Sequence, residues 1–237
     1  MEDNNRMHVP ISLRIIPADW TAPLDLPAAF GRAPQRLEVD LGCGKGRFLL
    51  ARAAAHPQTS FLGLDRQTRR LAKVERKAQR AQLANIRLLY AEAAYAVTHL
   101  LPSGSVNAYC IFFPDPWPKR RHHRRRLFDA AFLDALNTTL TPGGCIHLAT
   151  DHLDYFESIR RLLAGDARFV EREPFVTSDE ERTDFELIFL QQNKPIGRCS
   201  FAKKRSFFGL FFASGAASFS RLTRDGSPYP VRFLREW

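Results

Sequence analysis

Between residues 37 and 190 the apolar positions change period again and again. Short, nearly continuous apolar runs alternate with stretches where such residues recur every three or four positions, the mark of strands alternating with helices. Residues 37–41 read as a strand carrying Asp40 near its end, followed by Gly42-Cys43-Gly44-Lys45-Gly46 and a helix to about Ala55. Residues 60–64 form the next strand, closed by Asp65, and a helix follows. Residues 86–90 form a third strand, with Glu92 just past it, and 106–113 a fourth. The fourth is almost wholly apolar, as a strand buried on both faces is. Prolines 114, 116 and 118 stop it. Phe128, Phe132, Ala135, Leu136 and Leu140 have helical spacing, and Pro142-Gly143-Gly144 ends that helix. A fifth strand at 145–149 runs into Thr150-Asp151. A helix through Tyr155, Ile159 and Leu162 comes next, then strands near 169–171 and 185–190.

This order implies a mostly parallel sheet with helices on both faces. Ligands of such sheets collect at the carboxyl ends of the strands. Asp40, Asp65, Glu92, Asp115 and Asp151 each fall at or just beyond a predicted strand end. Acids are common turn formers, but five in succession along one rim suggest a site.

Composition narrows the class. With 237 residues, 45% of them apolar, the chain has a core to bury and is not a disordered one. The longest apolar candidate, 207–219, is interrupted by Gly and Ser and is too short for a membrane span. The polar, acidic start Met1-Glu2-Asp3-Asn4-Asn5 lacks a signal-type apolar run. Cys43, Cys110, Cys145 and Cys199 form no CxxC pair, so reduced thiols in the cytoplasm are expected and no zinc knuckle. His147 and His152 straddle the fifth strand's end without a third ligand, so no metal is expected.

The formal charge is +10, and its placement says more than its size. Arg66, Arg69, Arg70, Lys73, Arg76, Lys77 and Arg80 trace one stripe of a helix whose apolar stripe is Leu71, Val74, Ala78 and Ala81. A solvated face is the plain reading of that stripe alone. Lys119-Arg120-Arg121-His122-His123-Arg124-Arg125-Arg126 is denser. The stretch 194–237 holds nine Lys and Arg against two acids, mixed with phenylalanines.

The glycine turn after the first strand is neither GxxxxGK[ST] nor GxGxxG, since Arg47 stands where the second pattern needs neither charge nor bulk. Gly42, Gly44 and Gly46 let a flat or bulky ligand approach the backbone. The Asp40 carboxylate beside them repels a pyrophosphate and suits a cation, while Asp65 is placed to accept hydrogen bonds from a ribose. A ligand with a ribose, a positive charge and no phosphate fits S-adenosylmethionine.

At these residues the chain resembles a class I methyltransferase, whose sheet is Rossmann-like. The segment Phe112-Phe113-Pro114-Asp115-Pro116-Trp117-Pro118, continuing into the basic run, resembles the signature of the bacterial tRNA (guanine-N7)-methyltransferases. Ala149-Thr150-Asp151, Thr183-Asp184-Phe185-Glu186 and Asp19-Trp20 with Phe30-Gly31 add to the likeness, which covers about 19–191. The resemblance implies transfer of a methyl group from S-adenosylmethionine to N7 of a variable-loop guanine. It implies that Asp40 and Asp65 hold the methionine and ribose parts, that Glu92 lies by the adenine, and that Asp115 sits at the transfer site. Lys119, Asp151, Thr183, Asp184, Phe185 and Glu186 would contact the guanosine. The family more often has Glu at 65, Asp at 92 and Lys at 184, the last a reversal of charge. Arg120, Arg121, Arg124, Arg125 and Arg126 are expected on the tRNA backbone, and Trp117 offers a ring to a splayed-out base. The expected partner is tRNA, with neither membrane nor metal, and the protein a monomer or weak homodimer. The expected division is a lead segment 1–34, the methyltransferase domain 35–193 and a basic extension 194–237. An exocyclic-amine methyltransferase, or a non-catalytic RNA-binding module on the same fold, remains open from sequence.

Overall fold

The structure, a computed structural model, describes residues 12–205. One sheet organises them. Its strands are β1 (Arg14–Ile15), β2 (Leu37–Leu41), β3 (Ser60–Asp65), β4 (Ile86–Tyr90), β5 (Val106–Phe112), β6 (Leu140–Thr150), β7 (Phe169–Arg172) and β8 (Gly197–Lys203), in spatial order β1-β4-β3-β2-β5-β6-β8-β7. Neighbours from β1 to β6 pair parallel, whereas β8 is antiparallel to both β6 and β7. The helices are α1 (Leu26–Phe30), α2 (Arg47–Ala55), α3 (Thr68–Arg80), α4 (Ala93–Tyr95, continuing as a π-helical turn Ala96–Leu100), α5 (Ala130–Thr139), α6 (Leu153–Ala164) and α7 (Asp184–Gln191). None of the described helices is long and apolar enough to cross a membrane.

The two sheet faces carry separate cores. Phe61 and Leu88 pack with Leu49 and Ala53 of α2 and with Leu71, Val74 and Ala78 of α3. Their strand neighbours Leu62 and Leu89 turn to the opposite face, among Phe132, Leu136, Tyr155 and Ile159 of α5 and α6. That is the alternation a pleated strand imposes, and it leaves β2 and β3 wholly buried. The chain winds outward from β2 through β3 to β4, then returns to lay β5 on the other side of β2. The crevice outside the carboxyl ends of β2 and β5 is thus a topological switch point, where open α/β sheets bind ligands.

Three expectations change. Leu140 and Pro142-Gly143-Gly144 do not end α5 but open β6, which starts at Leu140 rather than 145. The apolar run 185–190 is not a strand but most of α7. Thr183 caps it, its hydroxyl accepting from the Glu186 amide at 3.0 Å, and a Ser/Thr-x-x-Glu start favours a helix over a strand of the same composition. The boundary at 193/194 does not separate sheet from tail, because Gly197–Lys203 is β8, wedged between β6 and β7. Its buried Ser200 bonds His147 at 2.8 Å and accepts from the Phe175 amide at 2.9 Å, so a polar residue fits mid-strand. Residues 1–11 of the expected lead segment and 206–237 of the expected extension lie outside the described residues.

Candidate active site

Two chain reversals meet at the switch point, and each is fixed by a different local device. The first follows β2. Gly42, Gly44 and Gly46 all have left-handed φ, at +85°, +56° and +75°. The Gly42 and Cys43 amides both donate to the Leu64 carbonyl, at 2.9 and 2.8 Å, which ties the turn to the end of β3. At Gly46 a side chain is barred twice over, since a Cβ there would stand 2.7 Å from Val74 of α3.

Two carboxylates flank this turn. Asp65, buried at the end of β3, accepts from the Gly44 amide at 3.1 Å and the Gln67 amide at 2.8 Å, with Arg70 at 3.5 Å. Asp40 is 6% exposed and has no hydrogen-bond partner for its carboxylate among the described residues. Burial, with the nearby Asp65 charge adding to it, pushes its pKa up to about 7. Its oxygens open on the cavity described below, and a carboxylate with little water and no protein donor invites a cation.

The second reversal follows β5. Phe113 and Trp117 have φ of +53° and +40°, backbone that bulky side chains rarely adopt. Each costs on the order of 1–3 kcal/mol, and such outliers cluster at functional sites. Between them lie Pro114, Asp115 and Pro116. Phe113 is held by its amide on the Ala149 carbonyl, at 2.7 Å, and by Phe185 and Phe189 of α7, at ring distances of 6.0 and 5.4 Å. Arg126 donates to the Pro116 carbonyl at 2.9 Å while lying 4.6 Å over the Tyr155 ring. Arg125 lies 5.0 Å over Trp117, so the ring expected to receive a base already carries a guanidinium. The Asp115 side chain is 67% exposed, and among the described residues only Arg66, at 3.4 Å, stands against it.

A cavity of about 950 Å³ joins the two reversals. Asp40, Gly42, Gly44, Gly46, Asp65, Glu92 and Asp115 all line it, and so do Trp117, Arg124, Arg125, Arg126, Thr183, Asp184 and Phe185. Glu92 caps α4 by accepting from the Tyr95 amide at 2.9 Å. Other expected residues stand elsewhere. Glu186 does not line the cavity: it is buried on the Thr177 hydroxyl, at 2.8 Å, and on Arg198, so it anchors α7. Lys119, Arg121 and Asp151 also lie outside the lining, and the Arg120 side chain is outside the described residues. His152 caps α6 by accepting from the Tyr155 amide at 3.2 Å, and His147 is spent on Ser200.

Sequence reasoning missed several partners. Arg198 and Thr177 hold α7, and Arg52 of α2 bridges Glu38, at 2.6 Å, to Glu181 just upstream of α7, at 3.3 Å. These ion pairs join residues far apart in the chain, and no spacing within one element announces them.

The residues fit a cation carrying a ribose. The glycine turn gives a bare backbone wall, Asp40 lacks a partner among the described residues, and the volume is that of a small-molecule site. The chain is similar to several known proteins. The family described as "Putative methyltransferase" matches residues 34–198. A curated "tRNA (guanine-N(7)-)-methyltransferase" of Halorhodospira halophila is 44% identical over 146 residues, which are 62% of this chain and 63% of that protein. One of Alkalilimnicola ehrlichii is 40% identical over 144 residues, 61% of this chain and 60% of that protein. The chain thus spans about three fifths of the length of these relatives. An antibiotic-resistance methyltransferase superposes with a TM-score of 0.53 at 21% identity, over 76% of this chain and 91% of its own. For a 16S rRNA methyltransferase the TM-score is 0.54 at 17% identity, over 73% and 89%. At such identities the superpositions bear on the fold alone.

Proposed function

Because this chain belongs to that methyltransferase family, we propose that it transfers a methyl group from S-adenosylmethionine to N7 of a guanine in tRNA. One observation carries the reading: the exposed Asp115 carboxylate opens on the same cavity as the unpaired Asp40 and the glycine turn. When bound, S-adenosylmethionine supplies a methyl group made electrophilic by a positively charged sulfur. Asp40 receives the cationic methionine end, and the arriving charge favours its ionised form. Asp65, steadied by the Gly44 and Gln67 amides, accepts from the ribose with its remaining lone pairs. Glu92 lies at the adenine side.

Guanine N7 carries an in-plane lone pair and no proton, so the protein has no proton to remove before transfer. Its task is to align the attacking nitrogen with the methyl group, and the stiff Pro114–Pro118 backbone serves that. Positive charge develops on the purine during attack, and Asp115 stabilises it. Its exposed pair with Arg66 is worth about 0–1 kcal/mol at most, little for a substrate to displace. Thr183, Asp184 and Phe185 face the guanosine from the start of α7, while Arg124, Arg125 and Arg126 take phosphates at the rim. Four free thiols, three of them buried, suit a reducing cytoplasm.

The test is one incubation of the protein with unmodified tRNA and methyl-labelled cofactor, followed by nucleoside analysis. Labelled N7-methylguanosine is expected. Label on an exocyclic amine, or RNA binding without label, contradicts the proposal.

A further inference from the structure

The cavity accounts for Arg66 and Arg70 of the basic stripe and leaves the rest of it unused. Arg69, Arg70, Lys73, Arg76, Lys77 and Arg80 are all exposed on α3. At about 100° per residue they occupy an arc of roughly 120°. The helix has one acid, Glu75, at the far side of that wheel. It is fully engaged there: Arg14 lies at 2.7 Å, and the Leu13 amide and Ser12 hydroxyl donate to it at 3.1 and 3.3 Å. Among the described residues no carboxylate lies within ion-pair distance of Arg69, Lys73, Arg76, Lys77 or Arg80, and Lys77 only donates to the Lys45 carbonyl, at 3.4 Å. Lys73, Arg76, Lys77 and Arg80 line a shallow recess between them.

This layout is unfavourable to the protein alone. Arg69 and Lys73, Lys73 and Lys77, and Arg76 and Arg80 are like charges at i,i+4, each pair costing a few tenths of a kcal/mol. An ordinary solvated helix face mixes signs and avoids the penalty. Here the only anion is turned away and the stripe is left for an external one. Its charge density indicates which. Six cations from Arg69 to Arg80 span about 16 Å of helix axis, at ~1.5 Å per residue, or one per ~3 Å. A nucleic-acid strand carries one phosphate per ~3.4 Å of axis. The stripe also begins at the cavity mouth, where Arg70 meets Asp65 and Arg66 meets Asp115.

We propose that the exposed face of α3 is a second track for the RNA backbone, carrying the strand away from the cavity mouth. The proposal rests on the tRNA reading above and names a surface that reading does not use. It predicts phosphate contacts without base preference.

The test is tRNA binding across a series of salt concentrations, for the wild-type protein and for the triple variant K73A/R76A/R80A. All three side chains are exposed, and circular dichroism checks the fold. The logarithmic salt slope should become shallower by about 2–3, with affinity lowered at least tenfold at moderate salt. The variant R76K/R80K, which keeps the charges, should retain the wild-type slope. An unchanged slope and affinity in the triple variant, while the wild type binds and methylates tRNA, overturns the α3 track and leaves the proposed function standing. A wild type that does not bind tRNA overturns both.

Discussion

The glycine turn after β2 and the proline loop after β5 face each other across one cavity and are pinned by opposite means. The first is held from inside: two amides converge on the Leu64 carbonyl, Val74 leaves no room for a Cβ at Gly46, and Asp40 and Asp65 are buried. The second is held at the rim: prolines fix φ, two bulky residues sit at positive φ, and Arg126 straps the Pro116 carbonyl while Asp115 stays in solvent. The difference separates the ways in which they fail. A change in the glycine turn is felt by the core and reads out as stability, and one in the proline loop reads out as turnover or RNA affinity.

The largest expected effect tests the rim. Asp115→Asn should lower turnover about 100-fold or more, the scale of losing one transition-state electrostatic partner. Thermal stability should move by no more than about 0.5 kcal/mol, as for exposed positions generally. A large drop in melting temperature would place Asp115 in the fold rather than in the chemistry and erase the contrast. The converse is Gly46→Ala, where the added Cβ meets Val74 at 2.7 Å on a backbone of φ +75°. It should destabilise by about 1–3 kcal/mol in urea unfolding, and an unchanged midpoint would mean that the turn is not packed as described. Next in size, R124A/R125A/R126A should weaken tRNA binding and lower its logarithmic salt slope by about 2–3. Cofactor affinity, measured calorimetrically, should stay the same. Equal losses of both would merge the two halves.

The smallest effect is a pH dependence. Asp40 is raised from 3.8 to about 7, so the ligand-free native state holds a proton there that the unfolded chain has lost. Between those values the native state binds more protons, and this group's contribution to stability falls as pH rises, levelling off above about 7. A bound cation favours the ionised carboxylate, so cofactor affinity should climb severalfold from pH 6 to 8. Asp40→Asn should flatten that climb and remove the stability loss. A flat wild-type profile would mean that Asp40 does not face the ligand's charge.

How much of this the sequence disclosed depends on whether the cause was local. The strands from residue 37 to 113 and the glycine turn were legible because apolar runs and punctuating Gly and Pro are near-neighbour signals. Asp40, Asp65, Glu92 and Asp115 followed, since strand ends in a parallel sheet share one rim. The run 185–190 misled because five apolar residues in six fit a buried strand and a short helix alike, and Thr183 with its cap decided the matter. β8 was hidden because Arg198, Ser200 and Lys203 break its apolar pattern, and only His147 and the Phe175 amide make Ser200 acceptable inside. Glu186 looked like a substrate contact beside Thr183 and Phe185, but helical geometry turns it inward to Arg198. Nor did composition hint at the positive φ of Phe113 and Trp117, since neither residue type favours it.

The central claim is that the methyl group goes to a ring nitrogen with a free lone pair, beside Asp115. Replacing guanosine by 7-deazaguanosine throughout a tRNA transcript removes that lone pair and leaves the exocyclic amine in place. The substituted transcript should still compete for binding and accept no methyl group from labelled cofactor. Methyl transfer to it at the rate of the ordinary transcript would mean that the acceptor is not guanine N7.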